Sequence, residues 1–73
     1  MARTKQDVID NPKFGDVLRD EGGFVSRIVA VDAMFVTEET SQIGSRRSKA
    51  TVYSSKSEWR KWAEDAEVLD AAD

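Results

Sequence analysis

The chain has 73 residues, no cysteine, no histidine and a formal net charge of −3. It therefore builds one small core, with neither disulfides nor thiolate or imidazole metal sites to reinforce it, and it lacks the commonest general base. No apolar run approaches the roughly 20 residues that span a bilayer, and Met1–Asp10 holds no apolar stretch of a secretory signal, so a cytoplasmic protein without a membrane segment is the expectation.

Residues 1–12 read as an N-terminal tail. Within it, Thr4 can cap one helical turn that Asn11-Pro12 ends, because the residue before a proline is pushed out of the α region. Val8 and Ile9 are its only apolar pair and are expected to tuck against the edge of the core. A single domain follows over residues 13–69. Its first strand is Asp16–Arg19, entered through Phe14-Gly15. Asp20-Glu21-Gly22-Gly23 is a turn, since a glycine takes positive φ without penalty. Phe24–Val31 is the clearest strand, with Ile28 and Ala30 on one face and Val29 and Val31 on the other. Asp32-Ala33 connects it to a strand over Met34–Thr40. A polar loop around Gly44, residues Ser41–Lys49, then leads to Ala50–Tyr53, and runs of similar length make these two strands a hairpin.

Near Ser54-Ser55 the apolar spacing changes from short β-branched and aromatic runs to a helical period. Ser55-Lys56-Ser57-Glu58 has the form of a capping box, and Trp59, Trp62, Ala63 and Ala66 form one stripe. The spacing predicts a helix from about Lys56 to Ala66. Glu64, Asp65 and Glu67 oppose the macrodipole at its C-terminal end, so Glu67-Val68-Leu69 is assigned to a short final strand. Residues 70–73 are expected to fray. The fold class is α+β and β-rich: a four-stranded antiparallel meander or small barrel, one C-terminal amphipathic helix and a short last strand. The predicted core is Val17, Ile28, Ala30, Val36, Val52, Trp62, Ala63, Ala66 and Leu69, with Phe24 and Phe35 nearby.

Charge is segregated along the chain. Residues 1–44 carry a net −3, residues 45–61 a net +5 and residues 62–73 a net −5. Arg46, Arg47 and Lys49, followed by Tyr53, Lys56 and Arg60, place cations next to an aromatic, a pattern that can hold a phosphate backbone and stack a base. The plainer reading is a solvated hairpin tip balanced by the acidic end of the chain, and a pI of about 4.9 is low for a nucleic-acid domain. Trp59 and Trp62 share a helix face and serve either as core or as a partner-binding patch; both are read as core, with Trp59 nearer the helix start and the rim. Asp16, Asp20 and Glu21, and the neighbours Glu38 and Glu39, do not converge as a hydrolytic pair or a metal cage would, and they read as solvating charges. The serines lack a base to activate them, and Gly22-Gly23 lacks the lysine and longer spacing of a phosphate loop.

Two resemblances stand beside this reading. Met1-Ala2-Arg3-Thr4-Lys5-Gln6 is similar to the start of a core-histone tail over five residues and departs from it at Asp7-Val8-Ile9. Phe14-Gly15-Asp16-Val17-Leu18 through Val36, then the hairpin to Tyr53, resembles the opening of SH3-like small β-barrels at the level of pattern and length. That resemblance implies an interaction module rather than an enzyme, and a full amphipathic helix stands where many such barrels have a single 3₁₀ turn. The acidic-aromatic run of the proline-peptide binders is missing, so no binding residue is carried over from them. The expectation is a non-catalytic protein-interaction module with no cofactor and no metal. Its candidate binding residues are Arg46, Arg47, Lys49, Tyr53, Lys56, Trp59 and Arg60. The alternatives are a nucleic-acid-binding accessory protein using residues 45–61, and a structural subunit or homo-oligomer using an exposed strand edge.

Overall fold

The computed structural model describes residues 3–42 and 49–72. Thr4 opens the first helix, α1 (Lys5–Asp10), through a full capping box: its hydroxyl accepts the Asp7 amide while the Asp7 carboxylate accepts the Thr4 amide. The Thr4 amide, and after it the Thr4 hydroxyl, stabilise the Asp7 carboxylate by more than burial opposes it and hold the carboxyl below its usual value. Five strands follow: β1 (Val17–Arg19), β2 (Phe24–Val31), β3 (Phe35–Gln42), β4 (Ala50–Ser55) and β5 (Glu67–Asp70), with α2 (Lys56–Glu64) between the last two. All pairings are antiparallel, and the spatial order is β4-β3-β2-β1-β5. The final strand thus returns across the helix to pair with the first.

The sheet is open: β4 and β5 are its two edges, and no pairing joins them into a barrel. Of the two expected forms, meander or small barrel, the described residues take the open one, a one-layer sheet covered on one side. Strand positions match the sequence reading within two residues, and α2 ends at Glu64 rather than Ala66. Its C-cap Asp65 sends its amide back to the Trp62 and Ala63 carbonyls. Ser55 caps the other end by accepting the Glu58 amide at 3.3 Å.

Both helices contribute to the layer over one sheet face. Val8, Ile9, Leu18, Ile28, Val36, Trp59, Ala63 and Ala66 form the buried cluster, and Val31, Trp62, Val68 and Ala71 pack against it. Four of the predicted core residues are there, and the others are displaced for identifiable reasons. Asp16 is fully buried, which fixes the parity of β1, so Leu18 points inward and Val17 outward. In β2 the register slips between Ile28 and Ala30. That bulge at Val29 lets Ile28 and Val31 share the core side and leaves Ala30 exposed. A second slip at β1–β5, where Val17 pairs with Asp70 and Leu18 with Val68, turns Leu69 out. Val52 lies on the edge strand, beyond the cover of α2, and is 38% exposed.

Both tryptophans pack in the core, but the deeper of the two is Trp59. Trp59 is 2% exposed and central, whereas Trp62 is half-buried on the flank. Trp59, Ala63 and Ala66 form the stripe that meets the sheet; Trp62 reaches past it to donate its indole N–H to Asp20 at 3.2 Å.

The N-terminal residues are not a loose tail. Arg3 pairs with the buried Asp16 carboxylate at 2.6 Å and also donates to the Ala72 and Asn11 carbonyls. Asp16 in turn accepts the Ala72 amide at 2.7 Å and the Lys13 amide at 2.8 Å. One carboxylate therefore ties both ends of the described chain to β1. Lys5 donates to the Glu64 carbonyl at the end of α2. Of the residues that resemble a histone tail, Arg3, Thr4 and Lys5 are engaged in folding contacts.

Candidate functional site

The helices leave the other sheet face uncovered. Val17, Arg19, Val25, Arg27, Phe35, Thr37, Glu39, Thr51 and Tyr53 fall on it by alternation from the buried Leu18, Ser26, Val36 and Glu38. Phe35 and Tyr53 stack there with ring centroids 4.8 Å apart and planes 17° from parallel. Tyr53 stays 63% exposed. Beside this pair runs a shallow groove of about 180 Å³ lined by Val17, Val25, Arg27, Glu39, Ser41 and Lys49. Lys49 meets Glu39 at 3.4 Å, an exposed pair of small energetic weight.

The edge strand β4 bounds this face. The Lys56 amide donates to the Met34 carbonyl at 2.9 Å, and Lys56 continues the β3–β4 register in which Ser54 faces Val36 and Val52 faces Glu38. In an antiparallel ladder, hydrogen-bonded pairs alternate with unbonded ones. Ser54, Val52 and Ala50 therefore direct their backbone groups to β3, and Thr51 and Tyr53 direct theirs outward. The Asp32 amide bonded to the Phe35 carbonyl fixes the same parity from the other side of β3: Phe35 serves β2, so Val36 serves β4. The outer side of β4 is thus a row of backbone donors and acceptors at Thr51 and Tyr53 that have no partner among the described residues.

The candidate residues do not converge on one patch. Lys49 and Tyr53 belong to the open face and the β4 edge, and Lys56 sits where β4 passes into α2. Arg60 lies in the helical layer, reaching the Asp10 carbonyl of α1 at 3.5 Å. Trp59 is buried beneath α2 and presents nothing to a partner. Arg46 and Arg47 lie outside the described residues. The residues that sequence reasoning missed are Phe35, Arg27 and Val25. Their signal was available in the strand alternation, but it needed the correct choice of which face the helix covers.

Two further polar features are set by the fold. Glu38 is only 5% exposed, on the helix-covered face between Ile28 and Val52. Burial pushes its carboxyl above the usual range, and the Ser26 hydroxyl offsets this only in part. At the β1–β2 turn, burial raises the Asp20 carboxyl, but the Phe24 amide, the Trp62 indole and the Gly22 and Gly23 amides outweigh it and hold it low. A hollow of about 410 Å³ opens beside this turn, lined by Arg19, Asp20, Glu21, Gly23, Asp65 and Glu67. Arg19 bridges it to Glu67 at 2.5 Å, and among the described residues no group of three or more carboxylates is placed to hold a metal ion.

Among the described residues no helix is long and apolar enough to cross a membrane. Comparison with known proteins returns no relative: no family model, no curated protein and no solved structure matches the chain.

Proposed function

We propose that this protein is a non-catalytic interaction module that receives an extended segment of a protein partner as a sixth strand on β4. The observation that supports it is the character of that edge. β4 is six residues, Ala50-Thr51-Val52-Tyr53-Ser54-Ser55, with no charge, no proline and no bulge, and with the backbone of Thr51 and Tyr53 turned outward. Edges that must stay unpaired are short, charged, bulged or covered. β4 has none of these protections. An added strand would gain main-chain hydrogen bonds from Thr51 and Tyr53, and its side chains would lie beside the Phe35–Tyr53 stack. The likeness to SH3-like domains is supported by a meander, a helix and a last strand that returns to β1, with α2 in place of a single turn.

The nucleic-acid reading draws less support, because Lys49, Lys56 and Arg60 are spread over an edge, a junction and the helical layer rather than along one groove.

The test is selection of peptides from a random displayed library, followed by binding to wild-type, Thr51→Pro and Val52→Pro chains. The Thr51 amide faces outward, so proline there removes a docking donor and spares the β3–β4 ladder; the Val52 amide is inside the ladder, so proline there breaks it. Selected peptides should bind the wild type and fail on Thr51→Pro while its circular dichroism stays native. Peptides that bind Thr51→Pro as well as the wild type would refute the reading.

A further inference from the structure

The two edges of this sheet differ in charge. β4 is neutral and bounded by Lys49 and Lys56. β5 begins at Glu67, ends at Asp70 and follows Asp65. It is hydrogen-bonded as a strand to β1 alone, and Leu69 is 45% exposed. The charge segregation of the sequence therefore becomes an opposition across the sheet, with a basic-bounded edge on one side and an acidic edge on the other.

We infer that the strand β4 receives is the acidic β5 edge of a second copy, so that copies associate head to tail. This rests on the reading of β4 as a receiving edge and names its occupant. Three pairings between copies are available to two free edges. A two-fold β4–β4 pairing lays the lysine-bounded ends of one strand against those of the other, and like charges across a strand pair are unfavourable. A two-fold β5–β5 pairing sets Glu67 and Asp70 against their own kind. Only β4 against β5 lays a lysine-bounded edge along an acidic one; with Thr51 opposite Val68 in an antiparallel ladder, Lys49 comes to Asp70.

The backbone permits it. The Asp20 amide bonds the Phe24 carbonyl and the Ile28 amide bonds the Asp16 carbonyl, so Leu18, between them in register with Ser26, serves β2. Val17 and Arg19 then serve β5 through Asp70 and Glu67, and Val68 is left with its backbone groups turned outward. Thr51 on one copy thus exchanges backbone bonds with Val68 on the next, groups that have no partner among the described residues.

Such a contact is heterologous, so one union leaves a free β4 at one end and a free β5 at the other. Association continues with concentration rather than stopping at a dimer, and added salt weakens it.

Sedimentation velocity from about 10 µM to about 1 mM, at low and high salt, reads this directly. The wild type should show a mean mass that climbs steadily with concentration and falls back at high salt. Two variants each block one edge: Thr51→Pro disables β4, and Glu67→Lys with Asp70→Lys reverses β5. Each alone should stay monomeric at every concentration. Mixed in equal amounts they should form a dimer and nothing larger, because the intact β5 of the first fits the intact β4 of the second and both products are capped. Asp70→Lys alone, which leaves the Arg19–Glu67 pair in place, and Lys49→Glu with Lys56→Glu serve in the same mixing scheme if circular dichroism shows either first choice unfolded. A wild type that is monomeric throughout, a Thr51→Pro chain that still self-associates, or folded variants that fail to combine would each overturn the inference. If the wild type is monomeric while selected peptides still bind it and not Thr51→Pro, only the second-copy occupant is lost. If β4 takes neither peptide nor copy, the reading of that edge is lost with it.

Discussion

Trp59 and Trp62 are three residues apart on one helix, and they should answer truncation and ring exchange in opposite order. Trp59 is 2% exposed at the centre of the core, and deleting such a side chain costs about 3–5 kcal/mol. Trp62 is half-buried, so Trp62→Ala should cost less, about 2 kcal/mol. Exchange for phenylalanine changes the balance. The Trp59 indole N–H is buried with no acceptor among the described residues, and such a group carries a desolvation penalty of about 1–3 kcal/mol. Trp59→Phe removes that penalty along with part of the apolar area, about 1–2 kcal/mol. The two offset each other, and the net change should lie within about 1 kcal/mol of zero. Trp62→Phe discards a hydrogen bond to the Asp20 carboxylate at 3.2 Å and relieves nothing, so it should cost about 1–2 kcal/mol. Small domains hold only about 5–10 kcal/mol of stability in total, so these differences are measurable in urea melts. Far-UV circular dichroism is the suitable probe, because every variant alters the fluorescence. The reasoning fails if Trp62→Ala is as costly as Trp59→Ala, or if Trp59→Phe is clearly worse than Trp62→Phe.

Arg3→Ala leaves the fully buried Asp16 carboxylate with backbone donors only, and breaking a pair of this kind should cost about 3 kcal/mol in the same melts; a loss under about 0.5 kcal/mol would return residues 1–12 to the status of a tail. Glu38 has its pKa raised in the fold by burial, so the folded chain holds that proton more tightly than the unfolded chain. Its share of stability is complete below about pH 4.5 and is lost as pH rises through the raised folded value. Glu38→Gln should therefore raise the melting temperature at pH 7 and confer no gain at pH 4, and equal effects at both would contradict the burial account. Asp32 is held low by the Met34 and Phe35 amides, and Asp20 by bonds that outweigh its burial. Their contributions have the opposite sign, present above about pH 3.8 and lost as pH falls through their depressed values, so acid unfolding should begin below that point. Gly23 has φ of +84° with open space around its missing Cβ, so Gly23→Ala should cost about 1 kcal/mol from the backbone alone, while Gly22→Ala should be near neutral by calorimetry.

The strands and the second helix were legible because each carries its own local signal: β-branched runs for β2 and β3, the glycine turn at Asp20–Gly23, and the Ser55 cap with its helical stripe. Which way each strand faced was less legible. In β1 the parity depends on Asp16, whose burial needs, beside the local Lys13 amide, Arg3 and Ala72, both distant in sequence. In β2 a single extra residue at Val29 exchanges Ala30 for Val31 in the core, and no local residue type announces it. Helical spacing put both tryptophans on one stripe with Ala63 and Ala66, but it does not say which of them the sheet meets; Trp59 is central and Trp62 lies on the flank. The candidate site was read from cation clustering, which marks solvated residues irrespective of the face they occupy. The free edge of β4 depends on strand order, and strand order is a long-range property.

In the proposed function, Thr51 and Tyr53 present outward backbone groups on which a partner strand is added. Amide hydrogen exchange on the labelled chain, kept dilute, measures it residue by residue, alone and with excess of a selected peptide. In the free chain Thr51 and Tyr53 should exchange rapidly while Val52 and Ser54, bonded to β3, are protected. With peptide, Thr51 and Tyr53 should slow markedly and the helices should not change. Thr51 and Tyr53 amides already protected in the dilute free chain, or a peptide that binds without slowing them, would contradict the account.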